Sequence, residues 1–356
     1  MRIAVIGVGL IGGSIALAAR ERVGAEIVGH DPDPEAIAIA CDRGVLDRAA
    51  ASLAGALEGA DVAVIAAPVG RLAELAPRVL AAAPVGCVVT DVGSTKRQIA
   101  GLLDDPRFIG GHPLAGAETA GVVHARSDLF DGATWYLTPA QHTDGILYER
   151  LHRLIGALGA HPVAIEPDAH DAVMAAVSHL PHILANVLVA EAAAVLTSQG
   201  ERLPATGPSF RDATRVAGAN SAIWTDIYLA NREALLARID AVSARLAEVR
   251  TLLAAGDGVE IGAWNDRAGA DRRALVDAQL AGGALTELRV PVPNRPGVVA
   301  GLTLELSRAG VNLADLALYP APDMSEGVVA LWVTGAEAAD RTEATLRALD
   351  FTVYRP

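Results

Sequence analysis

The chain has 356 residues, with 29 Lys+Arg against 42 Asp+Glu and a formal net charge of −13. At about 150 residues per domain, this length suggests two or three domains with room for a sizeable core. A content of 52% hydrophobic and 20% charged residues excludes a disordered chain. The acidity is even, −5 over residues 1–165, −5 over 166–284 and −3 over 285–356, so no segment has the basic footprint of a nucleic-acid binder.

No uncharged apolar run reaches the roughly 18 residues of a membrane span. The N-terminus opens on a strand pattern, not on a basic region followed by an apolar leader. Two cysteines, Cys41 and Cys87, give neither a disulfide framework nor a metal spacing and are expected to pack as small hydrophobes. The expectation is a soluble cytoplasmic protein without membrane or nucleic-acid partners. Arginine supplies every cation but one, Lys96.

The first strand is the β-branched run at residues 2–6. It leads into Gly7-Val8-Gly9-Leu10-Ile11-Gly12, a G-x-G-x-x-G that opens a helix, and a second strand follows, ending at His30-Asp31. This is the context that a dinucleotide site requires. Gly7 permits the tight turn, Gly9 lets the backbone approach a pyrophosphate, and Gly12 lets the helix sit close to the strand. Leu10 and Ile11 complete the phosphate loop. Asp31, at the strand end, can accept hydrogen bonds from both ribose hydroxyls and repels a 2′-phosphate, which favours NAD over NADP. Asp33, between Pro32 and Pro34, is read as a turn residue.

Further strands are expected at 61–66, ending in Ala67-Pro68, at 87–90, ending in Asp91-Val92-Gly93-Ser94, and at 108–111, ending in His112-Pro113. Helical segments alternate with them, the rhythm of a mainly parallel sheet. Ligands bind beyond the carboxyl ends of such strands. Ala67, Pro68 and Ser94 are therefore read as cofactor contacts. Ser94, Lys96, His112 and Glu118 are the polar residues at those ends.

From 168 to about 199 the pattern is helical and apolar, and it carries Ser178-His179-Leu180-Pro181-His182. His179 and His182 share one helix face, and Pro181 is expected to kink the helix. Arg211 and Arg215 follow, then a long helix from about 223 to 255 and a shorter one from about 259 to 280. Helices this apolar need a partner surface, so an all-α domain that dimerises is expected. His30, His124, His142, His152, His161 and His170 read as turn or surface residues. The H-x-x-H of 179 and 182 lacks a recognisable third ligand, so no metal is expected.

The last segment reads strand, helix, strand, strand, helix, strand, the ferredoxin-like order. With Asn294-Arg295-Pro296-Gly297 at its first strand-to-helix turn, it resembles an ACT domain, a module that commonly binds amino acids. The reading divides the chain into a Rossmann-type NAD-binding domain (1–166), a helical substrate and dimerisation domain (167–282) and an ACT-like regulatory domain (283–356).

Taken together, five motifs resemble the prephenate/arogenate dehydrogenase family of tyrosine biosynthesis. They are residues 7–14, Asp91 to Lys96, Gly111-His112-Pro113-Leu114-Ala115-Gly116-Ala117-Glu118, Ser178 to His182, and Thr214-Arg215 followed by Trp224. The resemblance implies NAD-dependent oxidative decarboxylation of a cyclohexadiene to an aromatic ring, by a homodimer formed through the helical domain, with tyrosine as a candidate effector at the ACT domain.

It also implies site roles. His112 matches the base for the 4-hydroxyl proton, and Ser94 the serine that bonds that hydroxyl or orients the base. Arg215 matches the arginine that binds a substrate carboxylate, while His179 and His182 match pocket-lining residues. Arg211 is a candidate for a gating ion pair with Glu118 or Asp212, Trp224 matches an aromatic that closes the pocket, and Lys96 matches the motif's lysine near cofactor and substrate. Ala117 departs from the family, which often has Thr there.

Prephenate is the expected substrate. Arogenate, dual cyclohexadienyl specificity, and an inactive NAD or amino-acid sensor are the alternatives. A β-hydroxyacid dehydrogenase needs a helix-borne lysine, and no lysine follows residue 96.

Overall fold

The computed structural model describes the chain except residues 117–118, 199–206, 280–284, 294–297, 299–301, 303–304, 307, 312, 321–325 and 356. Glu118, Ala117 and the Asn294–Gly297 turn therefore lie outside the described residues. The chain forms two compact units, Met1–Arg245 and Leu246–Pro356.

The first unit is built on an eight-stranded sheet in the order β3-β2-β1-β4-β5-β6-β7-β8. Its strands are β1 (Arg2–Ile6), β2 (Glu26–His30), β3 (Arg48–Ala49), β4 (Val62–Ile65), β5 (Val88–Asp91), β6 (Phe108–Pro113), β7 (Thr134–Thr138) and β8 (His161–Ala164). All neighbours are parallel except β6 and β7. Both faces are covered, and alternate residues of one strand serve different cores. Ile3 and Val5 of β1 pack with Val62 and Val64 of β4 on one side, while Ala4 and Ile6 pack with Ala63 and Ile65 on the other. That is why these strands are apolar throughout.

Helices α1 (Leu10–Val23), α2 (Pro34–Asp42), α3 (Leu53–Leu57), α4 (Val69–Ala82), α5 (Arg97–Leu102) and α6 (Gly145–Ala157) connect the strands. Asp33 caps α2, its carboxylate accepting from Glu35 N at 2.9 Å, and Pro34 occupies the first helical position, as a turn residue there should.

Two sequence expectations shift here. The strand predicted at 108–111 reaches Pro113, so His112 lies within β6, not after it, because β7 extends the pairing antiparallel, with His112 opposite Tyr136. Cys41 is exposed instead of packed, whereas Cys87 is buried and its thiol is pushed up to about 12 by desolvation.

The helical part of this unit starts with α7 (Pro167–Met174), a single π-helical stretch (Ala175–His179) and α8 (Leu180–Ser198). That π stretch ends two residues before Pro181, whose missing N–H removes one bond of the regular ladder. α9 (Pro208–Thr214), α10 (Ser221–Ala230) and α11 (Arg232–Ala255) follow. The single long helix expected from 223 to 255 is thus two, broken at Asn231, whose side chain is used elsewhere. The core of this part is small: Ala175, Leu180 and Leu235, with Ile183, Leu184, Tyr228 and a few neighbours against them.

In the second unit, α12 (Gly258–Gln279) precedes β9 (Leu285–Pro293), β10 (Leu313–Pro320) and β11 (Glu326–Thr334). These strands form an antiparallel sheet ordered β10-β11-β9. The expected last strand is reduced to one antiparallel bridge, Tyr354 with Arg289 of β9. A helix over Ala336–Ala348 packs Ala339 and Leu346 onto Leu288, Val290, Val329 and Leu331. The strand order, with Tyr354 beside β9, is ferredoxin-like.

Candidate active site

The carboxyl ends of β1, β2, β4 and β5 open on the same edge of the sheet, where the strand order reverses between β1 and β4. Ligands bind at such a point.

The glycine loop lies there. Gly7 has φ +98°, in the left-handed region, and a Cβ on it would run into the Ala66 carbonyl carbon at 2.7 Å. At Gly12 a Cβ would overlap the Gly7 carbonyl oxygen, so only glycine lets α1 begin this close to the strand. A Cβ at Gly9 meets nothing within 4 Å, which leaves open space in front of the helix. Gly9 caps α1 without a side-chain hydrogen bond, and no acidic residue occupies the first turn. The free N–H groups at Leu10 and Ile11 and the helix dipole therefore remain available for an anion.

Asp31 holds the loop from the end of β2. Its Oδ2 accepts from Val8 N at 2.7 Å and its Oδ1 from Asp33 N at 2.9 Å. Ala67 and Pro68 follow β4 beside Ala66. This cradle fits a dinucleotide.

Beyond β5, a buried ion pair organises the next loop. Lys96 is fully buried. Its ammonium donates to Asp91 Oδ2 at 2.5 Å and to the Thr95 carbonyl at 2.9 Å. Asp91 also accepts from Gly93 N at 2.8 Å and, across to β6, from Gly111 N at 3.1 Å. The half-buried Ser94 and His112 are thus pinned to one carboxylate, Ser94 by the residue before it and His112 likewise. Lys96 is turned inward in this arrangement, so it orders the loop and does not reach outward to a substrate.

His112 is buried, and its Nδ1 lies 2.9 Å from His170 Nε2. His170 Nδ1 lies 2.8 Å from Asp171 Oδ1. The Asp171 carboxylate also accepts from Lys96 N at 2.8 Å and Arg97 N at 3.0 Å, closing the start of α5. His170 is wholly inaccessible, which corrects its reading as a surface residue. It sits on the inner face of α7, edge-on to the rings of His112 and Tyr136. Burial, followed by the Lys96 ammonium and by His170 and His179, holds His112 well below the ordinary imidazole range. It is therefore neutral at neutral pH and able to accept a proton.

His179 is also buried, and desolvation lowers it to about 4, with Asp171 opposing. Its Nδ1 is 3.1 Å from Asn231 Nδ2, which also donates to the Asp171 carbonyl at 2.8 Å. His182 is half-buried and stacked on Trp224, with ring centroids 3.5 Å apart. Desolvation and then the Arg215 guanidinium lower its pKa, and a hydrogen bond to the Val216 backbone opposes them. The lowering by Arg215 places that exposed cation near His182. Trp224 also meets His179 and Tyr228 edge-on or tilted. A cavity of about 200 Å3 opens beside them, lined by His182, Asn186, Gly218, Ser221, Trp224 and Tyr228.

Sequence reasoning missed His170, Asp171 and Asn231. A signal was present for the first two: an adjacent His-Asp pair in an otherwise apolar helix is costly to bury unless it is paired. Asn231 carried no comparable mark.

The fold and cradle define the class, a dinucleotide-dependent dehydrogenase with a helical segment completing its site. The comparisons narrow that class. The family description "Prephenate dehydrogenase, nucleotide-binding domain" matches residues 15–164, and "Prephenate dehydrogenase, dimerization domain" matches residues 166–264. A prephenate dehydrogenase of Bacillus subtilis is 32% identical over 352 residues, covering 96% of this chain and 94% of that one. A prephenate dehydrogenase of Lactococcus lactis is 31% identical over 363 residues, covering 99% of both. Among solved structures, prephenate dehydrogenase from A. aeolicus in complex with hydroxyphenyl propionate and NAD+ matches with a TM-score of 0.72 and 30% identity, over 77% of this chain and 98% of that one. Synechocystis arogenate dehydrogenase matches with a TM-score of 0.67 and 28% identity, over 76% and 99%. The chain belongs to the prephenate dehydrogenase family.

Proposed function

We propose that the protein oxidises and decarboxylates prephenate to 4-hydroxyphenylpyruvate with NAD as hydride acceptor. The observation that carries this reading is His112: a neutral, buried imidazole at the ligand-binding edge of a dinucleotide sheet, anchored by a hydrogen-bonded chain. Full-length likeness to prephenate dehydrogenases supports the substrate.

Gly7, Gly9, Leu10, Ile11, Gly12, Asp31, Ala67 and Pro68 would hold NAD, which when bound would supply a hydride acceptor for the ring carbon bearing the 4-hydroxyl. His112 takes the hydroxyl proton as the hydride leaves. The ring carboxylate departs as CO2, and its bond pair completes the aromatic ring. The oxygen is then a phenolate, and the imidazolium returns the proton to it. A low-affinity imidazole does this easily, because a phenol holds its proton with a pKa of about 10. No net proton is released.

Ser94 bonds the same hydroxyl. Arg215 pairs with a substrate carboxylate, the planar guanidinium suiting a bidentate contact. His179 and His182, being uncharged, contribute hydrogen bonds instead of charge. Trp224 closes the pocket over His182, Lys96 orders the Ser94 loop, and Arg211 is the candidate for a gating ion pair, with Glu118, which lies outside the described residues, or Asp212 as its partner.

The exposed apolar face of the helical segment supports a homodimer. Val187, Leu188, Val189 and Val195 of α8 are each at least 39% exposed, an arrangement that needs a partner surface. The run Pro167–Val195 is also long and apolar enough to cross a membrane by length and composition, but it carries the site residues His170, Asp171, His179 and His182. The C-terminal ferredoxin-like unit is read as an ACT domain that binds tyrosine. If so, deleting residues 285–356 abolishes tyrosine inhibition and leaves activity, whereas unchanged inhibition places the effector elsewhere.

Arogenate is the second reading, favoured by the Synechocystis neighbour, because the reacting ring is the same and only the side chain differs. Initial rates of NADH formation with prephenate and with arogenate test the reading. A higher kcat/KM with prephenate is expected, and a clear preference for arogenate would reverse it.

A further inference from the structure

The two buried histidines of the site are tied to a single residue, and the direction of each hydrogen bond can be worked out. Both oxygens of the Asp171 carboxylate accept from backbone N–H groups, those of Lys96 and Arg97, so this side chain acts as an acceptor. His170 Nδ1, 2.8 Å from Asp171 Oδ1, therefore carries the proton of that ring. With one proton on the ring, His170 presents a lone pair at Nε2. His112 Nδ1, 2.9 Å away, must be the donor, which leaves Nε2 of His112 bare.

On the other side of Asp171, its backbone carbonyl accepts from Asn231 Nδ2 at 2.8 Å. That contact identifies the atom as the amide nitrogen. Its second hydrogen points to His179 Nδ1 at 3.1 Å. His179 Nδ1 is thus an acceptor, and the proton of this ring sits on Nε2. That Nε2 is buried and has no hydrogen-bond partner among the described residues. An unpaired buried donor is costly and calls for a ligand.

We propose that His170 and Asn231, joined through Asp171, are positioning residues that hold His112 and His179 in opposite tautomers. His112 has Nε2 bare to receive a proton, and His179 has Nε2–H ready to donate to a substrate oxygen. All four partners are deeply buried: His170 at 0%, His179 at 1%, Asp171 at 2% and Asn231 at 4% exposure. Water therefore does not compete for these bonds, and the rings cannot exchange tautomers cheaply.

The catalytic consequence is direct. With the proton on Nε2, His112 would present a donor to the substrate hydroxyl and could not act as its base. With the proton on Nδ1 the bond to His170 also survives protonation. The imidazolium still donates from Nδ1, and the Asp171 carboxylate stands one ring further along to stabilise it. The kinetic part of this proposal rests on the proposed role of His112. The tautomers do not, since they follow from the hydrogen-bond partners once each ring carries one proton.

The test is 15N spectroscopy of the full-length, histidine-labelled protein at neutral pH without substrate, with H112N and H179Q assigning the two rings. His112 is expected as the Nδ1–H form and His179 as the Nε2–H form. His112 in the Nε2–H form, or both rings in one form, overturns the proposal. The kinetic arm compares H170L, which removes the acceptor, with H170Q, whose amide can accept from His112 and donate to Asp171. H170L should lower kcat about 10²-fold with KM for prephenate within about threefold, and H170Q should recover most of that loss. Equal kcat in H170L and wild type, or no difference between Leu and Gln, would reduce His170 to packing. N231L should raise KM about tenfold with little change in kcat, because His179 loses its fixed donor. Unchanged KM would overturn the Asn231 half. Failure of the proposed reaction itself would show separately, as an inactive wild type whose two tautomers are intact.

Discussion

The nucleotide-binding sheet and the helical segment of the first unit solve the same problem differently. The sheet buries both its faces and closes two cores around itself. Its site residues are fixed by backbone: a glycine loop, strand ends and the Asp91 clamp. The helical segment closes only a small core and leaves apolar residues of α8 exposed, so its site residues are fixed by hydrogen bonds between side chains. The base sits on the rigid partner, and its proton arrangement is dictated by the looser one. A site divided this way takes the position of its base from the sheet and the proton arrangement of that base from the helices.

The sharpest way to break that division is to remove the base. His112→Asn should lower kcat by about 10²–10⁴-fold while leaving NAD binding intact, as measured by steady-state kinetics and cofactor titration. Near-normal turnover would remove His112 from the chemistry.

The next largest effect belongs to the clamp on the sheet side. Lys96→Met leaves the buried Asp91 carboxylate without its cation and should cost about 3–5 kcal/mol of stability in urea unfolding. A loss below about 1 kcal/mol would mean that the backbone N–H groups of Gly93 and Gly111 suffice for Asp91.

A third prediction concerns pH. His179 is lowered from 6.5 to about 4 in the folded protein, so the unfolded chain binds a proton that the folded one refuses. The stability this residue contributes is complete above its unfolded value and falls as the pH drops from 6.5 towards about 4. His112 shifts in the same direction, and catalysis should likewise persist on acidification below the ordinary imidazole range. Urea midpoints across this window should fall for the wild type and less steeply for His179→Gln. Parallel slopes would contradict the burial of a neutral His179.

The smallest effect lies at the exposed joint between the two parts. Arg97 pairs with Glu233 at 2.7 Å and with Asp168 at 3.0 Å, with side chains 53–72% exposed. Arg97→Ala should change stability by no more than about 1 kcal/mol. A larger loss would show that surface ion pairs, and not Asp171 and Asn231, hold the helical segment in place.

The two parts also differed in how much of them could be read from the residues. The sheet was legible because its signals are local. Glycine spacing, β-branched runs and an acidic strand end each follow from one backbone requirement, and Asp31, Gly7 and Gly12 sit where that reasoning put them. The end of β6 was misjudged because its pairing with β7 depends on a strand more than twenty residues away. In the helical segment, periodicity found the helices but not their interruptions. The π stretch at 175–179 and the break at Asn231 arise from tertiary hydrogen bonds, and no periodic pattern encodes them. His170 read as a surface residue for the same reason: its burial depends on His112 and Tyr136 of the sheet, which the helix sequence does not contain. Lys96 stood out as the chain's one lysine, yet only the fold shows it sealed on Asp91.

The central claim is tested most directly by product stoichiometry with the full-length protein, prephenate and NAD. One NADH and one CO2 per 4-hydroxyphenylpyruvate, formed together and without net proton release, is the result predicted. NADH without CO2, CO2 without NADH, or no reaction with prephenate would contradict it.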